Sequence, residues 1–149
     1  MPVVVPCTEL TLPFPVFGGL VKAGLEISQP ILRLAKLAVN NHTQGKRQDF
    51  NESDYAGYAP VALDAGWSVS LAPPFFELTY LAELSFEPSA TLPSPGQPVF
   101  AYFVCDAFTD GLVWFEFLDP PYVMTAPGHA LKIALALRVM DRFAVDPFC

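Results

Sequence analysis

Charge is the scarcest commodity in this 149-residue sequence: Asp, Glu, Lys and Arg make up 15% of it, against 52% apolar residues. So few charged side chains cannot cover a monomer of this size, and much apolar surface is expected to meet another protein chain. Basic residues are fewer still, eight against fifteen acidic ones, for a net charge of −7. That balance argues against wrapping nucleic acid, whose affinity comes mainly from neutralising phosphates, and the one dense basic spot is Lys46-Arg47. No apolar run approaches the roughly 18 to 20 residues of a spanning helix. Met1 to Leu12 has no basic start and is broken by Pro2 and Pro6, with Pro13 just beyond, so it does not read as a signal peptide, and synthesis in a cytoplasm is expected. The three cysteines, Cys7, Cys105 and Cys149, show no metal-ligand spacing and read as free thiols.

The chemistry-bearing residues are equally sparse. The two histidines, His42 in a polar loop and His129 after a Pro-Gly turn, have no motif-level partner. Gly-x-Ser-x-Gly, His-Glu-x-x-His and phosphate-cradling glycine loops are all missing. Glu77 and Glu83 share one strand face but lie about 20 Å apart along it, too far for a glycosidase pair. Asp106 and Asp110 lack the spacing of a calcium loop and fit a polar hairpin turn. No enzyme activity, cofactor or metal site is expected.

What the sequence does contain is strand patterning. Phe76, Leu78, Tyr80, Ala82, Leu84 and Phe86 alternate with Glu77, Thr79, Leu81, Glu83 and Ser85, the period of a strand with one buried face. Leu131, Ile133, Leu135, Leu137 and Val139 alternate with Lys132, Ala134, Ala136 and Arg138 in the same way. Val99 to Ala107 and Leu112 to Leu118 are aromatic and β-branched runs joined through Asp110-Gly111, a strong hairpin signal. Proline-rich joints punctuate the rest: Pro93 to Pro98 separates two strands, and Pro120-Pro121 and Pro127-Gly128 bracket a short one around Tyr122 to Thr125. Tyr58 to Leu63 and Trp67 to Leu71 read as two short strands. Pro30 to Val39 fits either a helix capped by Ser28 or a strand with Leu32 and Leu34 on one face, and Arg47 to Tyr58 holds a short helix or turn near residues 49–56. Strands at this spacing predict an all-β fold, an antiparallel β-sandwich of jelly-roll-like type.

Met1 to Phe17 differs in kind. It is rich in valine and proline with almost no charge, which makes it extended yet too apolar to stay in water. We read it as an extended N-terminal arm (residues 1–17) attached to a single sandwich domain (residues 18–149), with Val3, Val4, Val5, Phe14 and Phe17 anchoring it on a neighbouring chain. The alternative is that it supplies the domain's own first strand.

Two stretches carry a family resemblance. In the first, Val39-Asn40-Asn41 is followed by a polar gap, the run Asp49 to Pro60 with Gly57-Tyr58, then Val61-Ala62-Leu63 and Trp67. In the second, Tyr102-Phe103-Val104 precedes Asp106, a turn, Leu112-Val113-Trp114 with Glu116, a short segment ending at Met124, and Pro127-Gly128 before the last strand. This order resembles small, thinly characterised tailed-phage proteins whose genes lie near structural genes, over about two thirds of the chain, from near Leu32 to near Val139. The arm, the Phe75 to Pro98 segment and the tail from Asp141 to Cys149 depart from it. The resemblance implies a virion component of the capsid decoration or cement type, made in the host cytoplasm and placed on the capsid surface. Its expected partners are the major capsid protein and further copies of itself in a homotrimer, with no nucleic acid and no membrane. The alternative is a carbohydrate- or receptor-binding module of a tail or fibre, stacking sugars on Tyr80, Tyr102 or Tyr122. Trp67 and Trp114 are read as core residues rather than ligand platforms.

Overall fold

The Asp-Gly hairpin organises the larger of two facing sheets. The structure, a computed structural model, describes residues 22–37, 47–72 and 75–140. Strands β1 (Ile31–Ala35), β2 (Val61–Ala62), β6 (Gln97–Cys105) and β7 (Leu112–Met124) form one antiparallel sheet in the order β2-β1-β6-β7. In the turn between β6 and β7, Asp106 Oδ1 accepts the amides of Phe108 and Thr109, and Asp110 takes a positive φ of 57°. The aspartates thus shape the turn as their residue type favours.

Opposite lie β3 (Trp67–Ala72), β4 (Phe75–Tyr80) and β9 (Ala136–Met140), continued by the pair β5 (Leu84–Phe86) and β8 (Leu131–Ile133). The two long strands expected at Phe76 to Phe86 and Leu131 to Val139 are each split in two. The amide of Leu81 donates to Gly66 O at 3.1 Å and so leaves the β4–β9 ladder, while Tyr80 N still reaches Leu135 O at 3.0 Å. The alternation survives on either side of the break but not in it, where Ala82, expected on the buried face, is exposed: Leu78, Tyr80, Leu84 and Phe86 are buried, as are Leu131, Ile133 and Leu135. With Leu32, Leu34, Tyr102 and Val104 from the facing sheet they make one core, in which Trp67 meets Tyr80 and Trp114 edge-on at 5.2 and 5.8 Å. The all-β sandwich and the core placement of both tryptophans are as expected.

Three local readings sharpen or change. The open choice over Pro30 to Val39 falls to strand at Ile31–Ala35, which is β1, and a helix, α1 (residues 22–28), lies before it; Ser28 closes that helix by donating to Leu25 O at 3.0 Å rather than opening one. The short helix or turn expected near residues 49–56 is met by a 3₁₀ turn at Arg47–Asp49 and a second turn at Ala56-Gly57, where Tyr58 N donates to Tyr55 O at 2.9 Å. Strand β7 continues through Pro120-Pro121 instead of stopping there. It tolerates two residues without amides because it is the last strand of its sheet among the described residues and because the register with β6 shifts between Val99 and Ala101. That shift also turns β6 over, so that Val99 but not Ala101 faces the main core.

Candidate functional site

The outer face of the four-stranded sheet carries a second, smaller cluster. Because Leu32 and Leu34 point into the main core, Arg33 and Ala35 point outward, and register places Arg33 beside Phe103 and Phe103 beside Phe115. Ala35 and Ala101, opposite each other, are short enough to leave room above the sheet. Phe50, delivered by the 3₁₀ turn, fills it, stacking on Phe103 at 4.7 Å and meeting Phe115 at 5.1 Å. Phe115 touches Phe117 at 5.3 Å, so an aromatic row leads from the covered centre to the last strand. There Phe117 and Val113 are 45% and 40% exposed.

Two guanidiniums and two carboxylates flank this row. Arg33 Nη1 donates to both Glu52 oxygens, at 2.6 and 2.8 Å, and Arg47 Nη2 reaches Glu52 Oε2 at 3.4 Å. Arg47 also sits 4.9 Å above the Phe103 ring, a cation–π placement, and donates to Phe50 O at 3.2 Å. Asp110 lies 3.9 Å from Arg33 and 3.7 Å from Arg47. Burial by itself would lower the Arg33 pKa, but the hydrogen bond and charge of Glu52 outweigh it and raise the value. The group is electrically balanced, and its chemistry is that of a clamp holding residues 47–52 against the sheet. Cys105 lies beneath it, where burial pushes the thiol pKa up and keeps sulfur protonated at neutral pH, a poor nucleophile.

The Asp49 to Pro60 run has a defined job next to this cluster. Beyond the two residues paired with β2, the open edge of β1 is sealed by this segment. Ser53 N donates to Leu34 O and Lys36 N to Asn51 O, both at 2.8 Å, and the Tyr58 hydroxyl accepts the Leu34 amide at 3.1 Å. Gly57 makes the corner, with φ of 86° and a backbone so close to Ser89 that a Cβ would lie 2.7 Å from its nitrogen.

Other singled-out residues take structural places. Tyr80 and Tyr102 are buried; Ala65 N donates to the Tyr80 hydroxyl, and the Tyr102 hydroxyl donates to Glu116, so neither ring offers a stacking face. Tyr122 packs against the core. Glu77 pairs with Arg138 and Glu83 with Lys132, both at 2.8 Å across strands. His129 is exposed. Val3, Val4, Val5, Phe14 and Phe17 lie outside the described residues. The Arg33–Glu52–Arg47–Asp110 group was missed in the sequence; its one signal there is an arginine at the outward position of an apolar strand. Among the described residues no group of His, Cys, Asp and Glu has the arrangement to hold a metal ion, and no helix is long and apolar enough to cross a membrane. Compared with protein-family models, with curated proteins and with solved structures, the chain matches none of them.

Proposed function

We propose that this chain is a structural assembly protein, a decoration or cement subunit of a phage head that binds by burying apolar surface on the major capsid protein and on further copies of itself. The observation that carries the reading is the aromatic row, anchored at Phe50 and Phe103 and emerging at the last strand as Phe117 and Val113. A rigid, clamped platform with an apolar margin suits association, since ordering it on binding costs little further entropy. A joint of about 1,000 Å² repeated over a shell resists internal pressure with no chemistry at all. The virion location comes from the sequence resemblance, and the arm at residues 1–17 is proposed to reach a neighbour. Burial of Tyr80 and Tyr102 removes two of the three rings on which the glycan-binding alternative relied.

The test is to purify the native particle containing this chain and image it by electron cryomicroscopy. Regular copies over the head, with Val113 and Phe117 at a subunit joint, support the proposal; density confined to a tail tip, or no particle, overturns it. Recombinant Phe117→Asp and a form lacking residues 1–17 should each fold but fail to add to heads stripped of the protein. Unfolding on deletion would instead make residues 1–17 part of the core.

A further inference from the structure

A second surface lies at the end of the sandwich where α1, β1, β2 and the β6–β7 turn converge. A cleft of about 510 Å³ opens there, with Pro30, Ile31, Ala62, Leu63, Glu26 and Asp64 in its lining. The three most exposed large hydrophobic residues described, Ile27 at 74%, Phe108 at 71% and Leu81 at 63%, are each next to a lining residue in the chain or through a backbone bond. Ile27 follows the lining residue Glu26, Phe108 follows the lining residue Ala107, and Leu81 is bonded through its amide to Gly66 O, with Gly66 also a lining residue. The lining is tied together, since Ala107 N donates to Ser28 O at 3.1 Å and Leu63 N to Pro30 O at 2.9 Å.

We propose that this cleft docks a partner-protein segment that presents a Lys or Arg side chain between apolar residues. Charge selects the occupant. Among the residues lining the cleft, the charged ones are both acidic. Glu26 has only Lys22 at 3.8 Å across an exposed helix turn, and Asp64 has no ion pair among the described residues. The volume accommodates one long cationic side chain, while apolar side chains projecting from three separate elements call for apolar groups on either side of it. A small cation alone would leave those apolar residues uncovered, and an acidic segment would be repelled. This inference is independent of the outer-face reading, because the cleft shares neither the aromatic row nor the arginine clamp.

The experiment is an NMR titration of the full ¹⁵N-labelled chain with the peptide acetyl-Leu-Val-Arg-Leu-Val-amide and with versions carrying Lys or Glu at the centre. The Arg and Lys peptides should shift the amides of Ala62, Leu63, Gly66 and Ala107 saturably, and the Glu peptide should not. Replacing both acids, Glu26→Gln with Asp64→Asn, should weaken the Arg peptide about threefold to tenfold at low salt, and by less at high salt. Phe108→Ser should weaken all binding to the cleft while leaving the preference for Arg over Glu. Equal shifts from the Arg and Glu peptides, shifts centred elsewhere, or no saturable shift would overturn the proposal. Movement of the same amides on diluting the protein alone would also overturn it, by making a second copy the occupant.

Discussion

Two tyrosines three residues apart should respond to the same substitution with opposite sign. The Tyr58 hydroxyl accepts the amide of Leu34, a residue with no exposed surface in the middle of β1. Tyr58→Phe removes that acceptor and leaves a buried N–H at a strand edge that β2 is too short to reach. An orphaned buried donor costs about 1–3 kcal/mol, and the partial exposure of Tyr58 places the expected loss at about 1–2 kcal/mol. Tyr55 is buried as well, but its hydroxyl has no hydrogen-bond partner among the described residues. Tyr55→Phe therefore deletes an unsatisfied group and should leave stability unchanged or raise it by about 0.5–1 kcal/mol. In urea, with a slope of about 2 kcal/mol/M for a chain of this size, Tyr58→Phe should lower the midpoint by about 0.5–1 M and Tyr55→Phe should not lower it. Equal slopes are needed for the comparison to report stability alone. If both substitutions lower the midpoint alike, the sealing of β1 by residues 51–58 is not what the Tyr58 hydroxyl does, and the argument fails.

Arg33→Met should cost about 2–3 kcal/mol, less than a fully buried pair because both side chains keep about a fifth of their surface, and adding Glu52→Leu should restore most of it in the same urea assay. Gly57→Ala meets Ser89 backbone at 2.7 Å with φ at 86°, so it should destabilise by more than about 1 kcal/mol, and Ser89→Gly should not rescue it because the nitrogen remains. Burial pushes the Tyr55 pKa from 10.0 up to about 12, so the folded state holds a proton that the unfolded chain has released. Stability is therefore full below pH 10 and falls between pH 10 and 12; Tyr55→Phe should make that decline shallower in pH-dependent melting, with Tyr58 and Tyr102, raised mainly by burial too, supplying the remainder.

How far the sequence discloses this fold depends on whether the signal is local. Asp110-Gly111 specifies its own turn, and the alternation at Leu78, Tyr80, Leu84 and Phe86 names its own buried face, so both are legible before any contact is known. The helix at residues 22–28 is not, because Gly24 weakens its propensity and only Leu25 among the described positions is buried in the core, which leaves little periodicity to read. The passage of β7 through Pro120-Pro121 depends on its place at the sheet margin, a property of strand order rather than of the prolines. The arginine clamp is hidden for a similar reason: Arg33 and Glu52 are 19 residues apart, and the antiparallel pairing of Glu52 with Ala35, the last residue of β1, brings them together. Small outward residues such as Ala35 and Ala101 read in sequence as ordinary strand alanines, although their lack of bulk is what admits Phe50.

The distribution of charge links the clamp to the two proposed contacts. Every Lys and Arg among the described residues already faces an acid within 4 Å: Lys22, Arg33, Lys36, Arg47, Lys132 and Arg138. The arginines nearest the aromatic row are turned inward to hold residues 47–52, so the margin at Val113 and Phe117 meets a partner with apolar groups and not with positive charge. Acids outnumber bases by seven, and Asp64, Glu87, Glu116 and Asp119 are left without a basic partner among the described residues. A surface of this kind repels polyanions and its own copies at long range, and attracts a cation only where a carboxylate stands beside apolar surface. The end cleft, lined by Asp64 and Glu26 with Pro30, Ile31, Ala62 and Leu63, meets that condition. On the two proposals together, specificity comes from the combination: the outer face would supply area, and the cleft would admit one basic residue and reject partners that lack it.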